Sequence, residues 1–205
     1  MALLEIRSLC PGTRLGVWKI QETEAEFYHL YPSLYPFSKE LSSRYHNECR
    51  RVEFLAVRAL VHEMAPDADI DIQHNSTGKP LLPGWNISIS HTRGFAAVIL
   101  SQESVVGVDI EYFSDRVKRV ASRFIRPDEM ALDLPHQLIH WSAKETVYKY
   151  DSEEDLRYKE MRLEPFQLSD GYCLVDNLKS QWKVKVFFEV TSDYVLTFTY
   201  GAYSC

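Results

Sequence analysis

The stretch from Trp141 to Lys149 combines large apolar residues with a carboxylate and an ammonium group. At about 100° per residue, Trp141, Glu145 and Lys149 share one face of a predicted helix. Leu138 extends that face by one turn toward the N-terminus. A solvated helix normally carries its charges opposite its apolar stripe. The pattern therefore predicts that Glu145 and Lys149 point toward the interior of the protein.

A second acidic segment lies upstream, where residues 105–112 are mostly apolar and β-branched and predict a strand. The two-residue period places Asp109 and Glu111 on the same face of that strand. Mg²⁺ takes oxygen ligands and commonly uses one or two carboxylates together with substrate phosphates. Asp109, Glu111 and Glu145 are therefore candidate ligands of Mg²⁺, or of Mn²⁺, which the sequence does not distinguish from it. Lys144 and Lys149 would neutralise phosphate oxygens beside the metal.

Each segment also has a simpler interpretation. Asp109 and Glu111 could end a strand in solvent, and Glu145 and Lys149 could form an i,i+4 ion pair worth about 0.2–0.5 kcal/mol. A functional site is favoured because the predicted strand and the predicted helix are both largely apolar, and carboxylates interrupt the apolar pattern of each.

Composition narrows the class of protein. The 205 residues carry a formal net charge of −6, which argues against general nucleic-acid binding. No apolar run reaches the length of about 18 residues that a membrane span needs, and residues 1–10 lack the features of a signal peptide. We expect a cytoplasmic protein with neither a nucleic-acid nor a membrane partner. The four scattered cysteines (Cys10, Cys49, Cys173 and Cys205) are expected to be free thiols without a structural zinc.

The first half of the chain predicts one long helix and several short strands. A strand is expected at 15–20, a turned or extended segment at 30–37, and a helix from a Ser38 cap to about Met64. Arg44, Arg51 and Arg58, spaced by seven residues, form a second stripe on this helix. That stripe is either a solvated edge or a set of phosphate contacts. The apolar stripe consists of Leu41, Tyr45, Cys49, Val52, Ala56, Ala59 and Leu60.

After this helix, a weak strand at 70–73 and a turn at 75–80 lead to two strands, 86–91 and 95–101. A tight loop, 91–94, joins these strands. His91 ends the first of them, so it is either a solvent-facing histidine or a ligand-binding residue.

The second half repeats the combination of strands with one long helix. A strand at 105–112 is followed by a helix after Asp115 and a helical turn at 127–129. The site helix is expected at 137–150, before an acidic loop at 151–155. Four strands close the chain, at 161–168, 172–175, 182–190 and 194–200. The expected fold class is α+β, with closely packed halves 1–104 and 105–205, each a small antiparallel sheet on a long helix.

The two site segments resemble a known pair of motifs. Gly107-Val108-Asp109-Ile110-Glu111, followed by Trp141-Ser142-Ala143-Lys144-Glu145 and then Lys149, is similar to the paired motifs of the 4′-phosphopantetheinyl transferases. The single-chain branch, typified by the surfactin synthetase activator, fits best. Three further stretches match in order: Gly78-Lys79-Pro80, Asn86-Ile87-Ser88-Ile89-Ser90-His91, and Arg123-Phe124 with Glu129.

This resemblance implies both a reaction and a fold. Such enzymes transfer the 4′-phosphopantetheine group of coenzyme A to a serine of an acyl or peptidyl carrier protein, with Mg²⁺, and release adenosine 3′,5′-bisphosphate. The single-chain branch has two similar halves related by a pseudo-twofold, with coenzyme A in the cleft between them. A monomer is expected. Whether the carrier serves fatty-acid, polyketide or nonribosomal peptide synthesis is left open.

The resemblance also implies roles in the second half. Asp109, Glu111 and Glu145 would hold Mg²⁺, and Lys149 and Lys144 would contact phosphate oxygens. Asp109, Glu145 and Lys149 would be the catalytic residues, Glu145 accepting the serine proton directly or through a water.

In the first half, the resemblance implies that His91, Arg51 and Arg44 grip the 3′-phosphate of coenzyme A. Gly78 and Lys79 would lie along its adenine. Ser90, next to His91, would belong to the same binding stretch.

Two other functions stay open. One is a different Mg²⁺-dependent nucleotide phosphohydrolase, and the other is a protein that binds coenzyme A or a carrier without catalysis. The acidic loop at 151–155 replaces the glycine-containing loop that often follows this motif. Such a loop would repel an acidic carrier protein if it faced the docking surface.

Overall fold

The computed structural model describes residues 3–201, in two compact units whose boundary follows Glu103. Each unit contains one antiparallel sheet of four or five strands and one helix of 17 residues. This confirms the predicted α+β fold class with antiparallel sheets.

The N-terminal unit is built around a four-stranded sheet of order β1-β2-β6-β5. Helix α3 covers this sheet with the buried side chains of Leu55, Leu60 and Met64. Gly16 of β2 permits the close approach, since a Cβ there would lie 2.7 Å from atoms of Leu60 and Met64. The elements are β1 (Leu3–Cys10), β2 (Thr13–Lys19), α1 (Glu24–Leu30), a 3₁₀ helix (Pro32–Phe37), α2 (Ser38–Arg44), α3 (Glu48–Met64), β3 (Gln73–His74), β4 (Pro80–Leu81), β5 (Asn86–Thr92) and β6 (Phe95–Ser101).

The prediction of one long helix from Ser38 to Met64 is wrong, because this segment forms two helices, α2 and α3. Tyr45 is extended, with φ −123° and ψ 107°, and ends α2. The side chain of Asn47 then accepts a hydrogen bond from the backbone N–H of Cys49 and caps α3. Arg44 is therefore not on the same helix as Arg51. Cys49, which was assigned to the apolar stripe, is exposed.

Two shorter segments of this unit also differ from expectation. The predicted turned or extended segment at 30–37 is largely a 3₁₀ helix, Pro32–Phe37. The weak strand predicted at 70–73 is confined to Gln73–His74. The strands at 86–91 and 95–101 and the loop between them are confirmed, and Gly94 supplies the positive φ of 78° that this turn needs.

The C-terminal unit has a five-stranded antiparallel sheet of order β7-β11-β10-β9-β8. Its long helix α5 packs on this sheet with the buried side chains of Leu138, Ile139, Ala143 and Val147. The elements are β7 (Val106–Tyr112), a 3₁₀ helix (Asp115–Arg119), α4 (Ala121–Phe124), α5 (Leu134–Tyr150), a 3₁₀ helix (Tyr158–Glu160), β8 (Met161–Leu163), a 3₁₀ helix (Leu168–Asp170), β9 (Tyr172–Asn177), β10 (Trp182–Val190) and β11 (Tyr194–Tyr200).

Gly107 brings β7 and α5 unusually close together. A Cβ at this position would meet Tyr150 Cβ at 3.1 Å and would collide with the carbonyl oxygen of Thr146. Because the backbones approach this closely, side chains further along β7 come within hydrogen-bond reach of α5. The glycine of the first motif therefore helps to assemble the site.

The boundaries of the helices before the site differ from the prediction. The helix expected after Asp115 is a 3₁₀ helix followed by the four-residue α4, and residues 127–129 form a turn rather than a helix. Helix α5 begins at Leu134 instead of Gln137, because Asp133 caps it through the backbone N–H of His136. The strand predicted at 161–168 stops at Leu163.

Cys10, Cys49 and Cys173 are free thiols, and Cys205 lies outside the described residues. Burial raises the pKa of the Cys173 thiol well above its usual value. Across residues 3–201, the helices lack either the length or the apolar character needed to cross a bilayer.

Candidate active site

Asp109 and Lys149 form the centre of an ionic cluster in the C-terminal unit. Lys149 Nζ lies 2.7 Å from Asp109 Oδ1 and donates a second hydrogen bond, of 3.1 Å, to the carbonyl of Val108. The hydroxyl of Ser142 donates to Asp109 Oδ2 at 2.8 Å. Asp109 is only 3 % exposed, so strand β7 and helix α5 join through a nearly buried ion pair. The lysine predicted to lie beside the carboxylates does so.

Two aromatic side chains hold the other two carboxylates of the predicted site. Trp141 Nε1 donates to Glu111 Oε1, and the hydroxyl of Tyr158 donates to Glu145 Oε1, both at 2.7 Å. The rings of Trp141 and Tyr158 pack against each other with their centroids 5.1 Å apart. Each carboxylate is therefore oriented by a separate donor on one aromatic pair.

The pKa shifts of Glu111 and Glu145 reflect both their burial and the negative charges near them. Burial, followed by the negative charge of Asp109, raises the pKa of Glu111 to about 7, and Glu145 adds to this effect. Burial also raises the pKa of Glu145, where the charge of Asp109 acts in the same direction. Lys149 opposes both shifts. The cluster thus concentrates negative charge in a partly buried place.

The carboxylate groups of Asp109, Glu111 and Glu145 are chemically suitable ligands for a hard divalent cation. They supply carboxylate oxygens from two elements, and their mutual repulsion is the kind of interaction that a cation relieves. The side chains do not surround a common point. Among residues 3–201, no three His, Cys, Asp or Glu side chains are grouped as a metal site.

Lys144 does not lie at this cluster, contrary to the expectation that it contacts phosphate. Its side chain is fully buried and donates to Glu129 Oε2 at 2.8 Å and to the carbonyl of Phe124 at 2.7 Å. Glu129 also accepts hydrogen bonds of 2.7 Å from the backbone N–H groups of Arg126 and Leu163. Lys144 therefore joins α5 to the turn at 126–129 and to β8, with no surface left for a ligand.

The ionisation of Glu129 reflects this crowded environment. Burial acts to raise the pKa of its carboxyl, but the nearby His140 ring and the hydrogen bonds from Lys144 and from two backbone N–H groups outweigh burial and lower it to about 2. His140 Nδ1 lies 3.6 Å from Glu129 Oε1, and both side chains are buried. Glu129 is thus an anion held inside the unit.

A cavity of about 620 Å³ lies within the N-terminal unit. Burial, together with the positive charges of Arg58 and Arg44, lowers the pKa of His74 in its wall, which indicates a positive potential there. The cavity combines cationic, acidic and aromatic groups, a mixed lining of the kind found in small-molecule sites. Its lining includes Phe37, Glu40, Arg44, Tyr45, Arg50, Glu53, Phe54, Arg58, Asp71, His74, Gly78, Ile89 and His91.

Three of the predicted binding residues lie in the wall of this cavity: Arg44, Gly78 and His91. Arg44 is 3.5 Å from Glu40, with both side chains more than half exposed. His91 Nδ1 lies 3.2 Å from Glu53.

Three other predicted residues of the N-terminal unit are placed elsewhere. Arg51 Nε donates to Glu24 at 2.7 Å and Nη1 donates to the carbonyl of Tyr45, so its guanidinium supports the α1–α3 contact. Ser90 is buried on the face of β5 opposite His91, because side chains alternate along a strand. Lys79 follows Gly78 in the turn, where its backbone N–H donates to Asn75 Oδ1, and it is not part of the cavity wall.

The sequence indicates no role for Tyr158 or Glu129, and it places Arg58 on a stripe that is either a solvated edge or a set of phosphate contacts. Arg58 is 5 % exposed and lies 3.3 Å from the ring centroid of Phe54. Its position within a run of apolar residues, between Val57 and Ala59, was an available signal of burial. Tyr158 carried no such signal, because its contact with Glu145 depends on the path of the chain after α5.

The fold and the cluster together define a class of protein: an α+β domain in which a strand and a helix bring three carboxylates and a lysine together. Residues 105–199 match the family model of the 4′-phosphopantetheinyl transferase superfamily, and this span contains the whole cluster. The C-terminal unit is therefore similar to members of that superfamily. Its members transfer phosphopantetheine from coenzyme A to carrier proteins. No curated protein matches the chain.

Proposed function

We propose that the protein transfers the 4′-phosphopantetheine group of coenzyme A to a serine of an acyl or peptidyl carrier protein in the cytoplasm, in a Mg²⁺-dependent reaction. One observation carries the proposal: Asp109, Glu111, Glu145 and Lys149 are assembled within the segment that matches the transferase superfamily. The product released with the modified carrier would be adenosine 3′,5′-bisphosphate.

Asp109, Glu111 and Glu145 would hold Mg²⁺, which supplies positive charge against the pyrophosphate of coenzyme A when bound. Lys149 provides a further positive charge at this cluster and would neutralise an oxygen of the leaving phosphate. Its present bond to Asp109 keeps the ammonium at the cluster.

Glu145 is suited to accept the proton of the carrier serine. It would act directly or through a water, because a carboxylate that also holds Mg²⁺ is a weaker base than a free one. The serine oxygen forms a bond to phosphorus while the bond between phosphorus and the pyrophosphate bridging oxygen breaks. The electron pair leaves with the bisphosphate, and the serine proton goes to Glu145. Phosphoryl transfer has a loose transition state, so alignment and charge neutralisation matter more than full deprotonation.

The cavity of the N-terminal unit would bind the 3′-phosphoadenosine portion of coenzyme A. Arg44 and His91 lie in its wall as the cationic or ionisable partners of a phosphate, and Gly78 leaves part of the wall without a side chain. Arg58 adds a positive charge held among aromatic rings.

The test is incubation of the full chain with Mg²⁺, coenzyme A and a panel of apo carrier proteins, followed by intact-mass spectrometry. A mass gain of one phosphopantetheine on a carrier, with equimolar adenosine 3′,5′-bisphosphate, is expected. Release of the bisphosphate without modification of any carrier would instead indicate a hydrolase. Binding of coenzyme A with neither product would indicate a non-catalytic protein.

A further inference from the structure

Tyr158 makes a direct contact with the carboxylate that the proposed reaction uses as its base. The phenol hydroxyl donates to Glu145 Oε1 at 2.7 Å, and the ring packs on Trp141 at 5.1 Å with an interplanar angle of 43°. Trp141 in turn donates to Glu111. The stacked pair therefore presents one donor to each of two carboxylates, and neither ring can move without disturbing the other.

The backbone that carries Tyr158 is held by hydrogen bonds within and after the short 3₁₀ helix that this residue begins. Arg126 Nη1 donates to the carbonyl of Lys159 at 2.5 Å. Further along, the N–H of Leu163 donates to the buried carboxylate of Glu129 at 2.7 Å. Glu129 is itself bonded to Lys144, the residue before Glu145. The segments that carry Tyr158 and Glu145 are thus both bonded to the turn at 126–129.

Glu145 has space into which it could otherwise rotate. A cavity of about 380 Å³ borders its side chain and is lined also by Tyr148, Leu156, Arg157 and Tyr158. A glutamate side chain has several accessible rotamers, and an open neighbouring space does not select among them. The hydrogen bond from the Tyr158 hydroxyl favours one rotamer of Glu145, because a hydrogen bond to a charged acceptor is among the stronger polar contacts.

We propose that Tyr158 is a positioning residue, which holds the Glu145 carboxylate in the orientation required for phosphopantetheinyl transfer. This inference rests on the proposed function. In this role Tyr158 would act through Glu145, and not through a contact with coenzyme A or the carrier. Its removal should therefore change turnover and leave substrate binding unchanged.

The test is Tyr158→Phe, which removes one oxygen and keeps the ring on Trp141. We expect kcat to fall about tenfold, equivalent to about 1.4 kcal/mol, with the KM values for coenzyme A and carrier within about twofold of wild type. The matched control is Tyr148→Phe, which removes a phenol hydroxyl from a partly exposed tyrosine in the wall of the same cavity. This control should keep kcat within about twofold of wild type.

A second readout does not depend on turnover. Mn²⁺ binding to the full chain, followed by electron paramagnetic resonance with coenzyme A present, should be weaker in Tyr158→Phe than in Tyr148→Phe, because a freed Glu145 is a poorer ligand. Equal Mn²⁺ affinities would contradict the positioning role.

The outcomes separate this inference from the proposed function. A wild-type chain that modifies no carrier overturns the proposed function. Wild-type transfer combined with unchanged kcat in Tyr158→Phe overturns only the role of Tyr158, as does a rise in the KM for coenzyme A that matches the loss of kcat. If Tyr158→Phe fails to fold, Arg126→Met loosens the same segment without altering the contact itself. It should lower kcat with unchanged KM, and an unchanged kcat would again overturn the role.

Discussion

Replacement of Lys144 distinguishes a buried structural lysine from a phosphate-binding one. Lys144 and Glu129 have no exposed side-chain surface, and their atoms are 2.8 Å apart. Removal of one partner from a buried pair leaves the other charge uncompensated and costs about 3–5 kcal/mol. We therefore expect Lys144→Met to destabilise the C-terminal unit by about 3 kcal/mol, and Glu129→Gln to have an effect of similar size.

The double variant Lys144→Met with Glu129→Gln tests the pairing itself. Replacing both members of a buried ion pair is often much less harmful than breaking it. The double variant should be no less stable than either single variant, so that the sum of the two single effects exceeds the double effect by at least about 3 kcal/mol. Lys118→Met, at an exposed lysine of the same unit, is the control and should change stability by less than about 0.5 kcal/mol.

Urea unfolding, followed by hydrogen-exchange mass spectrometry on peptides of residues 104–201, reports the stability of this unit separately from the other. The reasoning is refuted if Lys144→Met loses less than about 1 kcal/mol while the KM for coenzyme A rises several-fold. That result would show a lysine that faces phosphate rather than Glu129.

Two further predictions concern the N-terminal cavity and the acid stability of the C-terminal unit. His91→Ala should raise the KM for coenzyme A more than that for 3′-dephospho-coenzyme A, because only the former offers a 3′-phosphate to the cavity; equal increases in steady-state assays would remove His91 from that contact. The pKa of Glu129 is lowered from 4.5 to about 2, so its contribution to stability is complete above about pH 4.5 and is lost as the pH falls toward 2, to a total of about 3 kcal/mol. Urea unfolding over this range should show that decline in wild type and a flatter profile in Glu129→Gln, and parallel profiles would contradict it.

The site in the C-terminal unit could largely be predicted because its residues follow local periodicities. The two-residue period of β7 placed Asp109 and Glu111 together, and the helical period of α5 placed Glu145 and Lys149 together. Gly107 in the first motif corresponds to the close contact between these two elements. These features depend on residues that are close together in the chain, so they can be predicted from the periodicity of the sequence.

Lys144 was misassigned because its environment comes from distant residues. A helix rotates by about 100° per residue, so Lys144 and its neighbour Glu145 face different surroundings. Lys144 is the buried one because it pairs with Glu129. Glu129 lies in a turn, where the sequence predicted a helix. The hydrogen bond from Tyr158 to Glu145 likewise depends on a long-range chain path that no periodicity encodes.

In the N-terminal unit, the regular spacing of apolar residues did not indicate that the predicted helix is interrupted between α2 and α3. Apolar residues at helical spacing favoured continuity from Ser38 to Met64, but Asn47 is a strong helix-capping residue and starts a new helix. The break separates Arg44 from the arginines of α3. Burial of Arg58 could not be read from charge alone, since its aromatic contacts with Phe37 and Phe54 come partly from outside its own helix.

The central claim is that the carboxylates joining β7 and α5 carry out phosphopantetheinyl transfer. Its most direct test compares wild type with Asp109→Asn on one apo carrier protein, with Mg²⁺ and coenzyme A, by intact-mass spectrometry. Both chains should fold, which circular dichroism would verify. Wild type should modify the carrier completely, and Asp109→Asn should modify it at least about a hundredfold more slowly. Near-equal rates for the two folded chains would contradict the central claim.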